Sequence, residues 1–261
     1  MSYATIQTYE DFIKKFYPKS GLDLTYYKQA QMQRRIQSFM SSHGHTAYAN
    51  FLQALDQDKD LFDAFFKHLT INVSQFFRDS SQWTILLNKV IPPLAADKTR
   101  LKFWSAGCSS GQEPYSLAMM MAENYPHIQP SILATDIDGN ILKQAKEGIY
   151  RQNDFISTPP GLLKKYFTAT ENGYQIHAEI KRLVHFQQQN LLTAKFDSGF
   201  DFIACRNVVI YFTEEAKELL YKKFANALKP QGILFTGSTE RFFGMDNFGL
   251  KAISSFFYQK S

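Results

Sequence analysis

Leu101-Lys-Phe-Trp-Ser-Ala-Gly-Cys-Ser-Ser-Gly-Gln-Glu-Pro-Tyr-Ser-Leu-Ala-Met119 reads as a strand, a tight glycine turn and a helix, and that order decides the fold. Leu101, Phe103 and Trp104 are strand-formers, and Gly107 and Gly111 punctuate the run. Pro114 suits a first helical turn, where a missing N–H costs nothing, and Leu117, Met120 and Met121 give the helix an apolar side. Such a unit turns free N–H groups and a positive dipole end toward the carboxyl edge of a sheet, where α/β proteins bind nucleotide-like ligands. The spacing is Gly107-x-x-x-Gly111, not the G-x-G-x-x-G of dinucleotide binders, and Glu113 stands where a pyrophosphate would come. A carboxylate there repels phosphate and suits a cation. That points to S-adenosylmethionine, with its sulfonium and ammonium, over NAD; an ordinary αβ turn without a ligand is the alternative at this point.

Composition bounds the rest. A chain of 261 residues, 44% apolar, supplies a real core for one large or two smaller domains. It contains no run of 18 apolar residues, and residues 1–10 lack the basic-then-apolar pattern of a signal peptide, so no membrane insertion is expected. Two cysteines cannot build a disulfide framework, so a reduced, cytoplasmic setting is expected. Cys108 and Cys205 have no His or Cys cluster beside them and read as small structural residues rather than metal ligands; no metal is expected. The net charge of +5 is compatible with an acidic protein partner and too mild to argue for nucleic acid.

Residues 8–75 show helical patterning without strands. Tyr9, Phe12, Ile13 and Phe16 share one face; Met32, Ile36, Phe39 and Met40 line a second helix that carries Lys28, Arg34 and Arg35. Helices over 46–55 and 61–69 complete a small bundle. Its basic residues either greet an acidic partner or form a solvated face. Asn72, Ser74 and Arg78 alternate with Ile71, Val73, Phe76 and Phe77, and on period alone Asn72 or Ser74 caps a helix. Beyond the central helix, a second strand ends at Asp136, a carboxylate placed to accept from both ribose hydroxyls. Residues 150–182 interrupt the alternation with two short strands around 166–168 and 173–177, a small β insertion. A strand over 200–205 leads into Arg206, Asn207 and Tyr211, just past its carboxyl end. Strands over 233–236 and 256–259 close the sheet, the last as an antiparallel hairpin member.

Four separated stretches, 70–78, 105–115, 134–138 and 205–212, together closely resemble the CheR-type chemotaxis receptor methyltransferases, in order and over nearly the whole chain. The resemblance implies a Rossmann-like S-adenosylmethionine-dependent methyltransferase sheet over 100–261, with the β insertion at about 163–182. An all-helical docking domain over 1–78 and a linker over 79–99 would precede it. It also implies methyl transfer to glutamate side chains in the cytoplasmic helices of chemoreceptors, by a monomer. Carried over by residue, Asn72, Ser74 and Arg78 would lie over the cofactor, with Gly107 in its turn. Glu113 would take the methionyl end, Asp136 the ribose, and Asn190 and Leu191 the adenine, while Arg206 and Asn207 close the pocket. Arg78 and Tyr211 would lie nearest the transferred methyl, and Lys28, Arg34 and Arg35 would dock the receptor. Ser74, Gly107, Ser110 and Gln112 stand where Thr, Ala, Thr and Glu are usual, all conservative. In some relatives the β insertion grips a tethering peptide; the loop around 168–173 is short here, and no tether is expected. A methyltransferase for small carboxylic acids and a non-catalytic cofactor sensor are the other classes to be separated by assay.

Overall fold

The computed structural model describes residues 3, 5–237, 240 and 244–261. The chain divides into two compact units: one of Met1–Asn72 with Tyr211–Glu218, the other of Val73–Ile210 with Leu219–Ser261.

The first unit is helical: α1 (Tyr9–Ser20), α2 (Gln29–Ser42), α3 (Tyr48–Gln57) and α4 (Lys59–Thr70). Thr8 and Asp11 form a capping box that satisfies the first free N–H groups of α1, and Gly21, at φ 66°, ends it. Asp58 caps α4 by accepting from Leu61 N. The apolar faces converge on phenylalanines: Phe12, Phe16, Phe51 and Phe65 are fully buried, and the Phe51 and Phe65 rings meet edge to face at 4.9 Å. Residues of the returning segment complete this unit. Lys28 N donates to Tyr211 O at 2.9 Å, Thr213 N donates to Tyr26 O at 2.9 Å, and the Tyr27 and Phe212 rings cross at 89°.

The second unit is α/β. After α5 (Ser80–Ile85) and α6 (Ile91–Ala95) come β1 (Arg100–Ala106), α7 (Gln112–Asn124), β2 (Gln129–Asp136), α8 (Gly139–Glu147) and β3 (Ile149–Tyr150). There follow α9 (Leu162–Tyr166), β4 (Phe167–Thr170), β5 (Gly173–Ile176), α10 (Ala178–Lys181), β6 (Val184–Gln188) and β7 (Phe200–Cys205). The chain ends with α11 (Glu214–Ala227, begun in the helical unit), β8 (Leu228–Thr236), β9 (Leu250–Ser254) and β10 (Phe257–Lys260). The main sheet has the order β6-β2-β1-β7-β8-β10-β9. Strands β6, β2, β1, β7 and β8 are parallel, and β10 runs antiparallel to both β8 and β9. The order reverses between β1 and β7, the switch point at which such sheets open a crevice.

Central strands are buried on both faces, as a parallel sheet requires, and all six residues of β7 are buried. Phe103, Phe202, Phe235 and Phe257 form a row across β1, β7, β8 and β10, closing to a 4.3 Å stack between the last two. The antiparallel β3-β5-β4 sheet is the expected insertion, extended by a strand at 149–150 that the pattern of residues does not announce. Residues 71–79 are irregular, with Ile71, Phe77 and Asp79 all at positive φ. Neither Asn72 nor Ser74 caps a helix; Ile71 closes α4 and Asp79 precedes α5. The segment is held by its apolar residues instead. Phe76 is fully buried, stacks on Phe155 at 4.9 Å, and meets Tyr150 and Phe167 edge-on.

Phe76→Ala is expected to lower the unfolding free energy of the sheet unit by about 3–5 kcal/mol. Both tryptophans, Trp83 and Trp104, lie in that unit, so their fluorescence during denaturant unfolding reads the change directly.

Candidate functional site

The turn between β1 and α7 is built by backbone bonds. Gly107 N and Cys108 N both donate to Thr135 O, at 2.8 and 2.9 Å, so the first loop is fastened to the end of β2. Gly107 sits at φ 82° with the Val208 side chain packed where a Cβ would go, and Gly111 sits at φ 91°. Both positions need glycine, for backbone conformation and for space. Tyr150, from β3, donates its hydroxyl hydrogen to Ser110 O at 2.8 Å, which gives the unannounced strand its purpose.

Two carboxylates flank this turn. Asp136 is buried at the end of β2; Ser109 N donates to one of its oxygens at 2.8 Å and Asp138 N to the other at 3.0 Å. Burial pushes its carboxyl up from the ordinary value, and those N–H bonds pull the other way. Glu113, in the first turn of α7, accepts from Ser105 Oγ at 2.7 Å and from Arg206 Nη1 at 3.4 Å. The Arg206 side chain is 3% exposed and lies over the Phe235 ring; its Nη2 donates to Asp79 Oδ2 at 2.7 Å and to Arg78 O at 3.0 Å. Its positive charge is therefore engaged, and the acceptor groups around the glycine turn are mainly carboxylates. That chemistry fits a ligand carrying ammonium, sulfonium and diol groups and does not fit a pyrophosphate.

Within the sheet unit, then, Arg78, Gly107, Glu113, Asp136 and Arg206 converge on one edge. Arg78 enters through its carbonyl, while its own guanidinium folds back to donate to Val73 O at 3.2 Å. Ser74 is half-buried in the same irregular segment. Asn190 and Leu191 follow β6, and this loop is tied to the edge because Gln189 N donates to Asp136 O at 2.8 Å. Asn72 and Tyr211 belong to the helical unit, where Asn72 Nδ2 donates to Thr70 Oγ1 at 3.1 Å. Of the basic trio on α2, Arg34 is exposed and Lys28 half-buried. Arg35 is half-buried and donates to the His68 carbonyl, whose own ring pairs with Arg35 O. Burial pushes the Arg35 guanidinium down from its ordinary value, and Tyr211, near enough to interact, opposes that. Cys108 and Cys205 are fully buried thiols, raised well above their usual range by that burial. Among the described residues, no group of three His, Cys, Asp or Glu could hold a metal ion.

Two residues escaped the reading of the sequence. Asp79, adjacent to Arg78, is the counter-ion of Arg206. Glu240 is 2% exposed and accepts four backbone N–H bonds, from Gly237, Asn207, Val208 and Val209, at 2.7–2.9 Å. It thereby fastens the turn after β7, where Asn207 sits at φ 60°. A lone acid in a Gly-bearing stretch just past a strand was the available signal.

Comparison with known proteins is consistent from end to end. Residues 7–70 match the all-alpha domain of CheR methyltransferases and residues 72–255 match the SAM binding domain of CheR methyltransferases. The chemotaxis protein methyltransferase of Listeria innocua is 42% identical over 242 residues, covering 92% of each chain. Its counterpart in Borreliella burgdorferi is 35% identical over 250 residues, covering 90% of this chain and 88% of that one. The Escherichia coli protein is 32% identical over 241 residues, covering 87% of this chain and 81% of its own.

Glu240→Gln keeps one acceptor oxygen but sets an amide NH2 against two N–H donors. The expected outcome is a loss of about 1–3 kcal/mol in the stability of the sheet unit, measured by denaturant unfolding. An unchanged midpoint would show that the loop does not depend on this carboxylate.

Proposed function

The chain belongs to the CheR methyltransferase family, and on that footing we propose how its residues carry the family's reaction. The protein is an S-adenosylmethionine-dependent protein-glutamate O-methyltransferase of chemotaxis adaptation, and its partner is a chemoreceptor. No described helix is long and apolar enough to cross a membrane. We take the enzyme to act in the cytoplasm, as a monomer, on glutamates of the receptor's cytoplasmic helices.

The observation that carries the site assignment is the pair of carboxylates, Glu113 and Asp136, on either side of the glycine turn at the sheet's switch point. Glu113, oriented by Ser105 and Arg206, takes the ammonium of the methionyl end; Asp136 accepts from the ribose hydroxyls; Asn190 and Leu191 border the adenine. Gly107 gives the turn its shape, and Arg206 with Asn207 closes the pocket. When bound, S-adenosylmethionine supplies a methyl group already activated on a sulfonium. A glutamate side chain has a reference pKa of about 4.3, so it is a carboxylate at neutral pH and needs no general base. What remains for the protein is alignment, exclusion of water and charge placement. Arg78 orients the substrate carboxylate and Tyr211 donates a hydrogen bond to it, with Asn72 and Ser74 lining the cofactor. Lys28 and Arg34 offer charge to a glutamate-rich helix, and Arg35, pinned to α4, presents what its half-burial leaves accessible.

With labelled cofactor, receptor cytoplasmic fragments are expected to gain base-labile methyl esters, while small carboxylic acids and acceptor-free controls gain none. Arg78→Ala and Tyr211→Phe should each cut turnover of the receptor fragment by about ten- to a hundredfold. Normal turnover by both folded variants would remove those roles. Because burial raises Asp136 and its carboxylate is the stronger acceptor for the two hydroxyls, affinity for S-adenosylhomocysteine should fall as pH drops through a midpoint above the ordinary value of about 3.9. Calorimetry on wild type and Asp136→Ala checks this; the variant should bind weakly with no such midpoint.

A further inference from the structure

The loop that follows β6 ends in an unusual convergence. The carbonyl oxygens of Leu191, Leu192 and Ala194 all point at the ammonium of Lys223 on α11, at 2.7, 3.1 and 2.7 Å. An ammonium has three donors, and this geometry uses all of them on one loop. The same ammonium lies 4.1 Å from the centre of the Phe196 ring. Among the described residues Lys223 enters no ion pair, so its charge is balanced by the three carbonyl dipoles and the face of the Phe196 ring. Burial pushes it down from its ordinary value.

The helix that presents Lys223 is itself fixed. Its neighbour Phe224 is fully buried, 5.3 Å from the Trp104 ring of β1 and 5.5 Å from Phe196. At the other end, Gln189 N is bonded to Asp136 O. Between these anchors Asn190 closes a short turn, accepting from Leu192 N at 3.0 Å on its side chain and from Ala194 N at 2.9 Å on its carbonyl. Three carbonyl dipoles aimed at one point repel one another unless a cation sits there. Without it, they would rotate outward to water and the loop would lose its single shape.

We propose that Lys223 is a positioning residue for base recognition, holding the 190–194 loop in the one conformation that lets Asn190 and Leu191 read the adenine of the cofactor. This rests on the assignment of that loop to the adenine. Its energetic consequence falls on the base and not on the ribose or methionyl contacts, which Asp136 and Glu113 make from other elements.

The test measures affinity for S-adenosylhomocysteine and for its 6-oxo analogue, S-inosylhomocysteine, in wild type, Lys223→Met, Lys223→Arg and Leu191→Ala, each checked for folding by thermal melt. Lys223→Met, which keeps the aliphatic stem but not the donors, is expected to weaken S-adenosylhomocysteine binding about ten- to a hundredfold. It should also bring the ratio between the two ligands toward one. Lys223→Arg, which restores the charge and some donors, should recover part of that ratio; a destabilised fold would lower both affinities without erasing it. If Leu191→Ala weakens binding of both ligands and folded Lys223→Met leaves their ratio and affinities unchanged, the proposal is wrong while the adenine assignment stands. If neither substitution changes any affinity, both fall.

Discussion

A buried guanidinium holds the functional edge of the sheet unit together. Arg206, at the end of β7, reaches Asp79 in the irregular segment and Glu113 in the first turn of α7, and donates to the Arg78 carbonyl as well. Three stretches far apart in sequence are thereby fastened at one point. A charge taken so completely out of water is tolerable only when it is paired and hydrogen-bonded, which is why the neighbouring acids are as necessary as the arginine. The arrangement also sets the sign of the site. With Arg206 engaged, the carboxylates left around the glycine turn determine what it attracts.

The two turns that face each other across the switch point depend on one another. Gly107 has no side chain, so Val208 packs against it; Glu240 collects the amides of residues 207–209 and fixes where Val208 lies. Asp136 and Glu240 are both buried acids whose ionisation burial opposes and whose N–H partners offset only in part. For such raised groups, the stability they contribute is fully present below their unfolded pKa and is lost as pH rises through the folded one. At neutral pH the fold therefore carries a cost at these two positions.

Arg35 belongs to the same theme on the helical side. Periodicity places it with Lys28 and Arg34 as a solvated basic face, yet its guanidinium is drawn into α4 by the His68 carbonyl and lies near Tyr211. Of the three, Arg34 keeps the exposure expected of a docking charge.

Local pattern carried much of this protein. The strand–glycine turn–helix of 101–119, the acid at the end of β2, the β insertion and the closing hairpin are all written as nearest-neighbour regularities, and the carboxylates Glu113 and Asp136 sit where those regularities put them. The cap expected of Asn72 or Ser74 was not formed, because the burial of Phe76 and Phe77 in the sheet unit governs that segment and overrides local propensity. What the sequence by itself determined is the order of elements and the kinds of side chain at the carboxyl edge, since both follow from periods of two and 3.6 and from glycine's freedom at positive φ. What tertiary structure alone decided is which distant groups complete one another: Asp79 for Arg206, Glu240 for the amides of 207–209, Lys223 for three carbonyls of one loop. Those pairings arise from desolvation, which asks every buried charge and dipole to find a partner wherever the fold brings one, and no local window of residues records where that will be.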